Sequence, residues 1–198
     1  MATNMISTNI PDYNPDAEGV HKLVLTTNSV RNTTFASPDD RYYYEVCTWF
    51  WHRNVTKINI HEHDTKLMRT VAEIEKLAAG RFRVRFKNGE QEFGDWISDI
   101  DFLKPDSDGV GGVFYDTEGV GYRWKTHNRN LQLVRVDDEK KTPLINYHPH
   151  RRYFFVFLMS RHAAWSVKPE CLKMLDRLIV SYILVERRRR AAHKLFTS

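Results

Sequence analysis

Residues 169–194, PECLKMLDRLIVSYILVERRRRAAHK, contain the stretch that decides the fold. On a helix, the side chains of LIVSYILV at 178–185 cover almost the full circumference, with Ser181 as the one gap. A transmembrane helix needs about 20 apolar residues, and Lys173, Asp176 and Glu186 interrupt this run. The stretch therefore predicts a helix over about 169–192 that is buried on all sides in a protein core. Its predicted core residues are Leu175, Leu178, Ile179, Tyr182, Ile183 and Leu184.

The positive charge of the chain is concentrated at its C-terminal end. The 198 residues carry a net charge of +5, and the residues from Arg177 onward carry six basic groups against Glu186, which also amounts to +5. Residues 1–176 are therefore neutral overall. This distribution does not favour specific nucleic-acid binding by the domain as a whole.

Cysteine content and the chain ends bear on the cellular compartment. Two cysteines are too few for a disulfide framework or a cysteine zinc site. The first residues lack a basic start and an apolar run, so no secretory signal is predicted. The sequence also has neither a glycine after Met1 for myristoylation nor a C-terminal prenylation box. We therefore expect a cytoplasmic protein without a lipid anchor.

Strand patterns fill the chain between a polar tail at 1–19 and the helix. The run YYYEVCTWFW at 42–51 predicts a long strand packed on both faces, and RTVAEIEKL at 69–77 is better read as strand than as helix. In RFRVRFK at 81–87 apolar and basic residues alternate, and RRYFFVFLM at 151–159 predicts the last strong strand. Roughly ten to twelve strands before one helix predict a single mainly β domain over 20–190, an all-β barrel or sandwich. Because the helix needs a surrounding wall, we expect the strands to close into an antiparallel barrel around it. Residues 191–198 are expected to be a short C-terminal tail.

Three motifs carry a resemblance to known families. They are NTTF at 32–35, GVGYRWK with Gly119, Tyr122, Trp124 and Lys125, and the terminal LDRLIVSYILVERRRR at 175–190. The set resembles an uncharacterised fungal domain family, which in turn is similar to the tubby C-terminal and LURP-one-related superfamily. That resemblance covers about residues 21–190 and implies a barrel of about 12 strands around a central C-terminal helix. Some members of the superfamily bind phosphoinositides, although their lipid-binding residues have no match here.

The arginine row consists of Arg81, Arg83, Arg85 and Lys87 on one face of a predicted strand. Alternate residues of a strand lie about 6.6–7 Å apart, and arginine binds phosphate with two parallel hydrogen bonds. The row is therefore a candidate site for anionic headgroups. The alternative is a solvated outer face whose charges protect the sheet from aggregation.

The terminal arginines are Arg187, Arg188, Arg189 and Arg190. Three interpretations remain open: they solubilise the end of the helix, where positive charge is favourable, they contact anionic lipid, or they act as a nuclear import signal.

Other polar clusters indicate neither a metal, a cofactor nor catalysis. His61 and His63 share a strand face without a recognisable third ligand, and the glycines at 109–112 are not followed by a phosphate-loop lysine. No catalytic motif is present, although convergence of Asp95, Asp99, Asp101 and Asp106 stays open.

Two functional hypotheses follow. The first is a non-enzymatic binding module recruited to anionic phospholipid headgroups as a peripheral membrane protein. The second is a protein-interaction scaffold without a lipid role.

Overall fold

A computed structural model describes residues 19–62, 65–87, 92–127, 130–150 and 162–195. Within them, thirteen strands precede and flank two helices. The strands are β1 His21–Leu25, β2 Thr33–Ala36, β3 Tyr43–Cys47, β4 Val55–His61, β5 Met68–Lys76, β6 Phe82–Phe86, β7 Ile97–Ser98, β8 Lys104–Pro105, β9 Gly112–Tyr115, β10 Gly121–His127, β11 Asn130–Arg135, β12 Ile145–His148 and β13 Ala164–Val167. The helices are α1 Asp99–Phe102 and α2 Leu175–Leu195. The mainly β character expected from the sequence is confirmed.

All thirteen strands belong to one antiparallel sheet, and this sheet is open. Its order is β7-β6-β5-β4-β3-β2-β1-β13-β12-β11-β10-β9-β8, so β7 and β8 are the two edges. The closed barrel predicted from the sequence is therefore wrong. The edge strands have two residues each, α1 and Leu103 lie between them in the chain, and Pro105 has no N–H to donate. These features leave the edges without the ladder of hydrogen bonds that would close the sheet.

Residues 178–185 of helix α2 are buried on every side. A 3-10 turn at Pro169–Met174 leads into it, and no side chain from Leu178 to Val185 is more than 4% exposed. The six predicted core residues of the helix all lie in the single hydrophobic core. Of the described helices, none is long and apolar enough to cross a membrane.

The ring of Tyr182 shows how widely separated strands pack around α2. It contacts Phe35 on β2, Trp124 on β10, Tyr147 on β12 and Trp165 on β13, with ring centroids 5.0–6.0 Å apart. Side chains from both halves of the sheet therefore enclose one helix. This enclosure is needed because a helix segment that is apolar on all sides is stable only when all of its sides are buried.

Two elements differ in length from those predicted from the sequence. The predicted strand at 42–51 is too long, since β3 ends at Cys47 and Phe50–His52 form a 3-10 turn. The helix α2 continues to Leu195, beyond the predicted end at 192. Residues 1–18 of the predicted tail at 1–19 lie outside the described residues, as does the predicted strand at 151–159.

Candidate functional site

Three loops meet the end of α2 at one end of the sheet. Residues 26–32, 48–54 and 77–81 connect β1 to β2, β3 to β4 and β5 to β6, so the antiparallel order places them at the same end. The Arg187 guanidinium donates to the Val30 carbonyl oxygen at 3.4 Å, and its centre lies 4.9 Å from the ring centroid of Phe82. We call these three loops together with residues 186–190 the cationic end.

The cationic end exposes three consecutive aromatic side chains, which we call the aromatic tip: Trp49, Phe50 and Trp51. They are 47%, 71% and 59% exposed. The two indoles stack with centroids 4.8 Å apart, and Phe50 meets Trp51 edge-on at 4.7 Å. Large apolar side chains are usually buried when a protein folds. A contiguous group of them that stays exposed therefore indicates an interaction site.

The sequence pattern does not predict the aromatic tip, because the aromatic run at 42–51 predicts a strand that includes its three residues. A strand of this length leaves only His52 and Arg53 as the turn before β4. Two-residue hairpin turns require residues such as Asn-Gly that adopt positive φ, and His-Arg does not meet this requirement. The turn therefore has to begin earlier, and this signal could have placed the tip in a loop.

Four guanidinium groups of the cationic end have no carboxylate partner within the described part of the chain: Arg31, Arg53, Arg81 and Arg187. The Arg31 guanidinium instead donates to the Arg53 carbonyl at 3.3 Å, and the Arg53 guanidinium donates to the Phe50 carbonyl at 3.0 Å. Loop residues 26–32, 48–54 and 77–81 include no acidic residue. An anion would therefore meet uncompensated positive charge here.

Arg187 is the most enclosed of these groups. It donates to the Thr56 hydroxyl at 2.8 Å, and burial, with a smaller effect of the nearby Arg31 charge, lowers the pKa of Arg187 to about 10. The side chain remains cationic at neutral pH. Two like charges held close together favour binding of an anion that would relieve their repulsion.

The other terminal arginines are engaged within the protein. Arg188 lies 3.5 Å from a carboxylate oxygen of Asp99 and donates to the Leu103 carbonyl at 3.1 Å. Arg189 and Arg190 both pair with Glu186, at 2.8 and 2.9 Å, and Glu186 is almost fully buried. Arg188 therefore ties α2 to the residues around α1, and Arg190 also donates to the Asn28 carbonyl at 2.6 Å, whereas the two Glu186 pairs lie within the helix. Sequence spacing alone does not indicate the contacts of Arg188 and Arg190 with the rest of the domain.

The arginine row is divided by its neighbours on β5. Arg83 pairs with Glu75, and Arg85 pairs with Glu73 at 2.6 Å. Both guanidinium groups also lie over the Trp96 ring, 4.6 and 4.4 Å from its centroid. Arg81 is exposed and belongs to the cationic end, whereas Lys87 follows the opposite end of β6. Anion binding by the row stays a prediction, and Arg81 is its one arginine without a carboxylate partner among the described residues.

A groove of about 470 Å³ lies at the opposite end of the sheet. Its lining mixes acidic, basic and apolar side chains: Asp39, Asp40, Tyr43, His61, Lys66 and Met68. His63, the second histidine of the possible metal pair, lies outside the described residues. Across the described ranges, no three His, Cys, Asp or Glu side chains are grouped to hold a metal ion.

Packing accounts for Cys171, and ion pairs account for two of the four carboxylates whose convergence the sequence left open. Cys171 is fully buried, and burial raises the pKa of its thiol to about 12. Asp99 faces Arg188, and Asp106 lies 3.6 Å from Arg123. The remaining two members of the open carboxylate set, Asp95 and Asp101, are exposed.

Comparison with known proteins gives one match. The family model described as "Family of unknown function (DUF6593)" matches residues 28–191. No curated protein and no solved structure matches the chain.

Proposed function

The chain belongs to the DUF6593 family, a family of unknown function, and we propose that this member is a non-enzymatic module that binds anionic membrane surfaces through its cationic end. The observation that carries the proposal is the group of four arginines, at one end of the sheet, that have no carboxylate partner in the described ranges. On this proposal the protein is a peripheral protein on the cytoplasmic side of a membrane.

The charge balance supports this choice. The three loops contribute three arginines and no acid, and residues 186–190 contribute four arginines and Glu186. These segments therefore carry a formal charge of +6, or +5 after Asp99, the partner of Arg188, is included. The whole chain carries +5. Essentially all of the net charge is thus presented from one end, which would orient the molecule on a negative surface.

The sequence resemblance to the tubby C-terminal and LURP-one-related superfamily, through a fungal family, also belongs to this proposal. Because some members of that superfamily bind phosphoinositides, it favours a phosphorylated inositol headgroup as the anion. A guanidinium group matches phosphate geometry with two parallel hydrogen bonds.

Electrostatic attraction alone would give weak binding. Each basic residue near an anionic surface contributes about 1 kcal/mol, so the four unpaired arginines supply about 4 kcal/mol. This corresponds to dissociation constants of about 1 mM. A second, non-electrostatic contact is therefore needed for stable recruitment.

A protein-interaction scaffold without a lipid role is the second candidate. The observation that favours it is the internal pairing of most predicted anion-binding arginines, such as Arg83, Arg85 and Arg188. These groups are less available to a lipid headgroup than the sequence indicated.

Co-sedimentation with vesicles separates the two candidates. We expect the protein to bind phosphatidylcholine vesicles that contain phosphatidylserine or a phosphoinositide, and not phosphatidylcholine alone. The double variant Arg31→Glu/Arg53→Glu should lose this binding. It should still fold, because both side chains are exposed and the charge of Arg31 opposes that of Arg187.

The matched control is Arg41→Glu/Lys140→Glu, which changes the net charge equally at exposed positions of the opposite end. It should bind as the unmodified protein does. If both double variants lose binding equally, net charge rather than the cationic end is responsible. If the unmodified protein does not sediment with any vesicle, the scaffold function is favoured.

A further inference from the structure

We propose that the aromatic tip, Trp49, Phe50 and Trp51, inserts into the interface of an anionic bilayer while the arginines beside it contact lipid phosphates. The inference rests on the proposed membrane function and supplies the non-electrostatic contact which that function needs. It assigns a role to exposed apolar side chains that are not part of the hydrophobic core.

The position of the tip suits insertion. β3 and β4 pair up to Cys47 and Lys57, and the residues between them project from the end of this hairpin. Thr48, at the base, is buried; its N–H donates to the Asn32 side-chain oxygen at 2.9 Å, and its hydroxyl lies 2.9 Å from that of Thr56. The three rings are thus carried on an anchored base. Insertion of such a tip requires little ordering of the chain.

Backbone carbonyl groups at the tip already have hydrogen-bond donors within the protein, which favours transfer into a membrane interface. The Trp49 carbonyl accepts from the His52 N–H at 3.1 Å, and the Phe50 carbonyl accepts from the Arg53 Nε at 3.0 Å. The Arg53 carbonyl accepts from Arg31 at 3.3 Å. Unsatisfied backbone groups are costly in lipid. Three carbonyls that would otherwise oppose insertion are therefore already hydrogen-bonded.

The same bonds position positive charge at the base of the tip. Arg31 and Arg53 are exposed and are held beside the aromatic side chains by these carbonyl contacts. Tryptophan is enriched at membrane–water interfaces, because its ring is apolar and its N–H needs a polar partner. Aromatic side chains that enter the acyl boundary would leave these guanidinium groups at the level of the phosphates.

A lipid surface fits this arrangement better than the alternatives. A platform for nucleic-acid bases needs free ring faces, whereas Trp49 and Trp51 stack on each other at 4.8 Å. A second copy of the chain would place the acid-free, positively charged loops of two molecules against each other. An anionic bilayer complements both the charge and the apolar surface of the tip.

Tryptophan fluorescence offers a direct test because the exposed indoles are at the tip. Of the five tryptophans, Trp124 and Trp165 are fully buried and Trp96 is covered by Arg83 and Arg85. We expect emission to shift to the blue when vesicles of phosphatidylcholine and phosphatidylserine are added. Brominated acyl chains in those vesicles should quench it. The variant Trp49→Ser/Trp51→Ser should lose both responses and bind the vesicles about tenfold more weakly, with an unchanged melting temperature.

The matched control is Leu67→Ser/Met68→Ser, which removes exposed apolar surface, 66% and 52% exposed, at the opposite end of the sheet. It should keep the quenching and the affinity of the unmodified protein. If the unmodified protein binds anionic vesicles but is not quenched, and Trp49→Ser/Trp51→Ser binds equally well, insertion is wrong and the proposed function stands. Absence of any vesicle binding overturns both.

Two further measurements distinguish other occupants of the tip. In sedimentation velocity without lipid, the protein should form no dimer that depends on the aromatic tip. A dimer of this kind would be present in the unmodified protein and lost in Trp49→Ser/Trp51→Ser. A labelled single-stranded oligonucleotide should bind no more tightly than the anionic vesicles. A tip-dependent dimer, or tighter tip-dependent binding of the oligonucleotide, would replace the bilayer as the occupant and overturn the inference.

Discussion

The indole N–H of Trp124 on β10 donates to the hydroxyl of Ser181, in the middle of α2, at 2.9 Å, and both residues are fully buried. The Ser181 hydroxyl in turn donates to the Leu178 carbonyl at 2.9 Å. The one polar position of the apolar run is thus the partner of a buried indole. This relationship explains why a serine is tolerated in the core.

We expect Ser181→Ala to lower the free energy of unfolding by about 1–3 kcal/mol, because it leaves the buried indole N–H without an acceptor. Chemical denaturation of the single variants and of Ser181→Ala/Trp124→Phe measures the coupling. The double variant should cost less than the sum of the two single changes. Simple additivity would show that the bond contributes nothing to stability.

Leu178→Asp or Ile183→Asp should abolish folding, since either change places an unpaired charge at a fully buried position of α2. The measurement is the soluble yield together with a thermal melt followed by circular dichroism. Ala191→Asp, at an exposed position of the same helix, is the control and should melt normally. A soluble Leu178→Asp protein with an unchanged midpoint would contradict the buried position of α2.

The two ion pairs between β5 and β6 should differ in strength. Glu73 is 5% exposed, so Arg85→Ala leaves a buried carboxylate with only Lys57, at 3.7 Å, as a cationic partner within the described residues. We expect a loss on the order of 2 kcal/mol, below that of a fully buried pair because Arg85 is partly exposed. Arg83→Ala breaks a more exposed pair with Glu75 and should cost less than about 1 kcal/mol.

Urea denaturation of both variants gives this comparison, and Glu73→Gln/Arg85→Ala should recover part of the loss. Equal effects of Arg83→Ala and Arg85→Ala would show that burial of Glu73 does not decide the cost.

Asp176 should make stability depend on pH. Burial raises the pKa of its carboxyl above the ordinary value of 3.8, against the opposing effects of the Arg177 N–H and charge. Because the unfolded chain releases this proton at lower pH, the group favours folding below pH 3.8, and that contribution is lost as pH rises through the native pKa. Asp176→Asn should therefore be more stable than the unmodified protein at pH 7, with an advantage that shrinks near pH 4.

Urea denaturation at the two pH values measures this effect, with Glu139→Gln at an exposed position as the control. An Asp176→Asn protein that is less stable at pH 7 would show that the hydrogen bond to Arg177 outweighs the cost of burial.

Membrane association should be reversible and sensitive to salt. At about 0.5 M salt, screening shortens electrostatic attraction to a few ångströms, and the aromatic tip alone should not retain the protein. We expect release from phosphatidylserine vesicles in a salt wash, measured by sedimentation. Retention through the wash would mean that hydrophobic contact dominates and that the arginines contribute little.

Local periodicity is sufficient to predict the parts of this fold that depend on neighbouring residues. The apolar run at 178–185, with Ser181 as its one polar position, determined that a helix is buried. The alternation of Phe82, Val84 and Phe86 with arginines determined a strand with one inward face. Both predictions follow from fixed repeats, 3.6 residues in a helix and two in a strand. Neither depends on which distant segment supplies the covering surface.

Tertiary structure alone decided the openness of the sheet and the state of each charged group. Whether β7 and β8 pair depends on the geometry of the whole sheet, which no local pattern encodes. Glu73 and Glu75 neutralise Arg85 and Arg83 because of the register between β5 and β6. Arg187 reaches the Val30 carbonyl, next to Arg31, because a loop and a helix end that are distant in sequence converge. The physical reason is that charge and exposure depend on contacts between distant segments, whereas helix and strand formation depends largely on residues nearby in the chain.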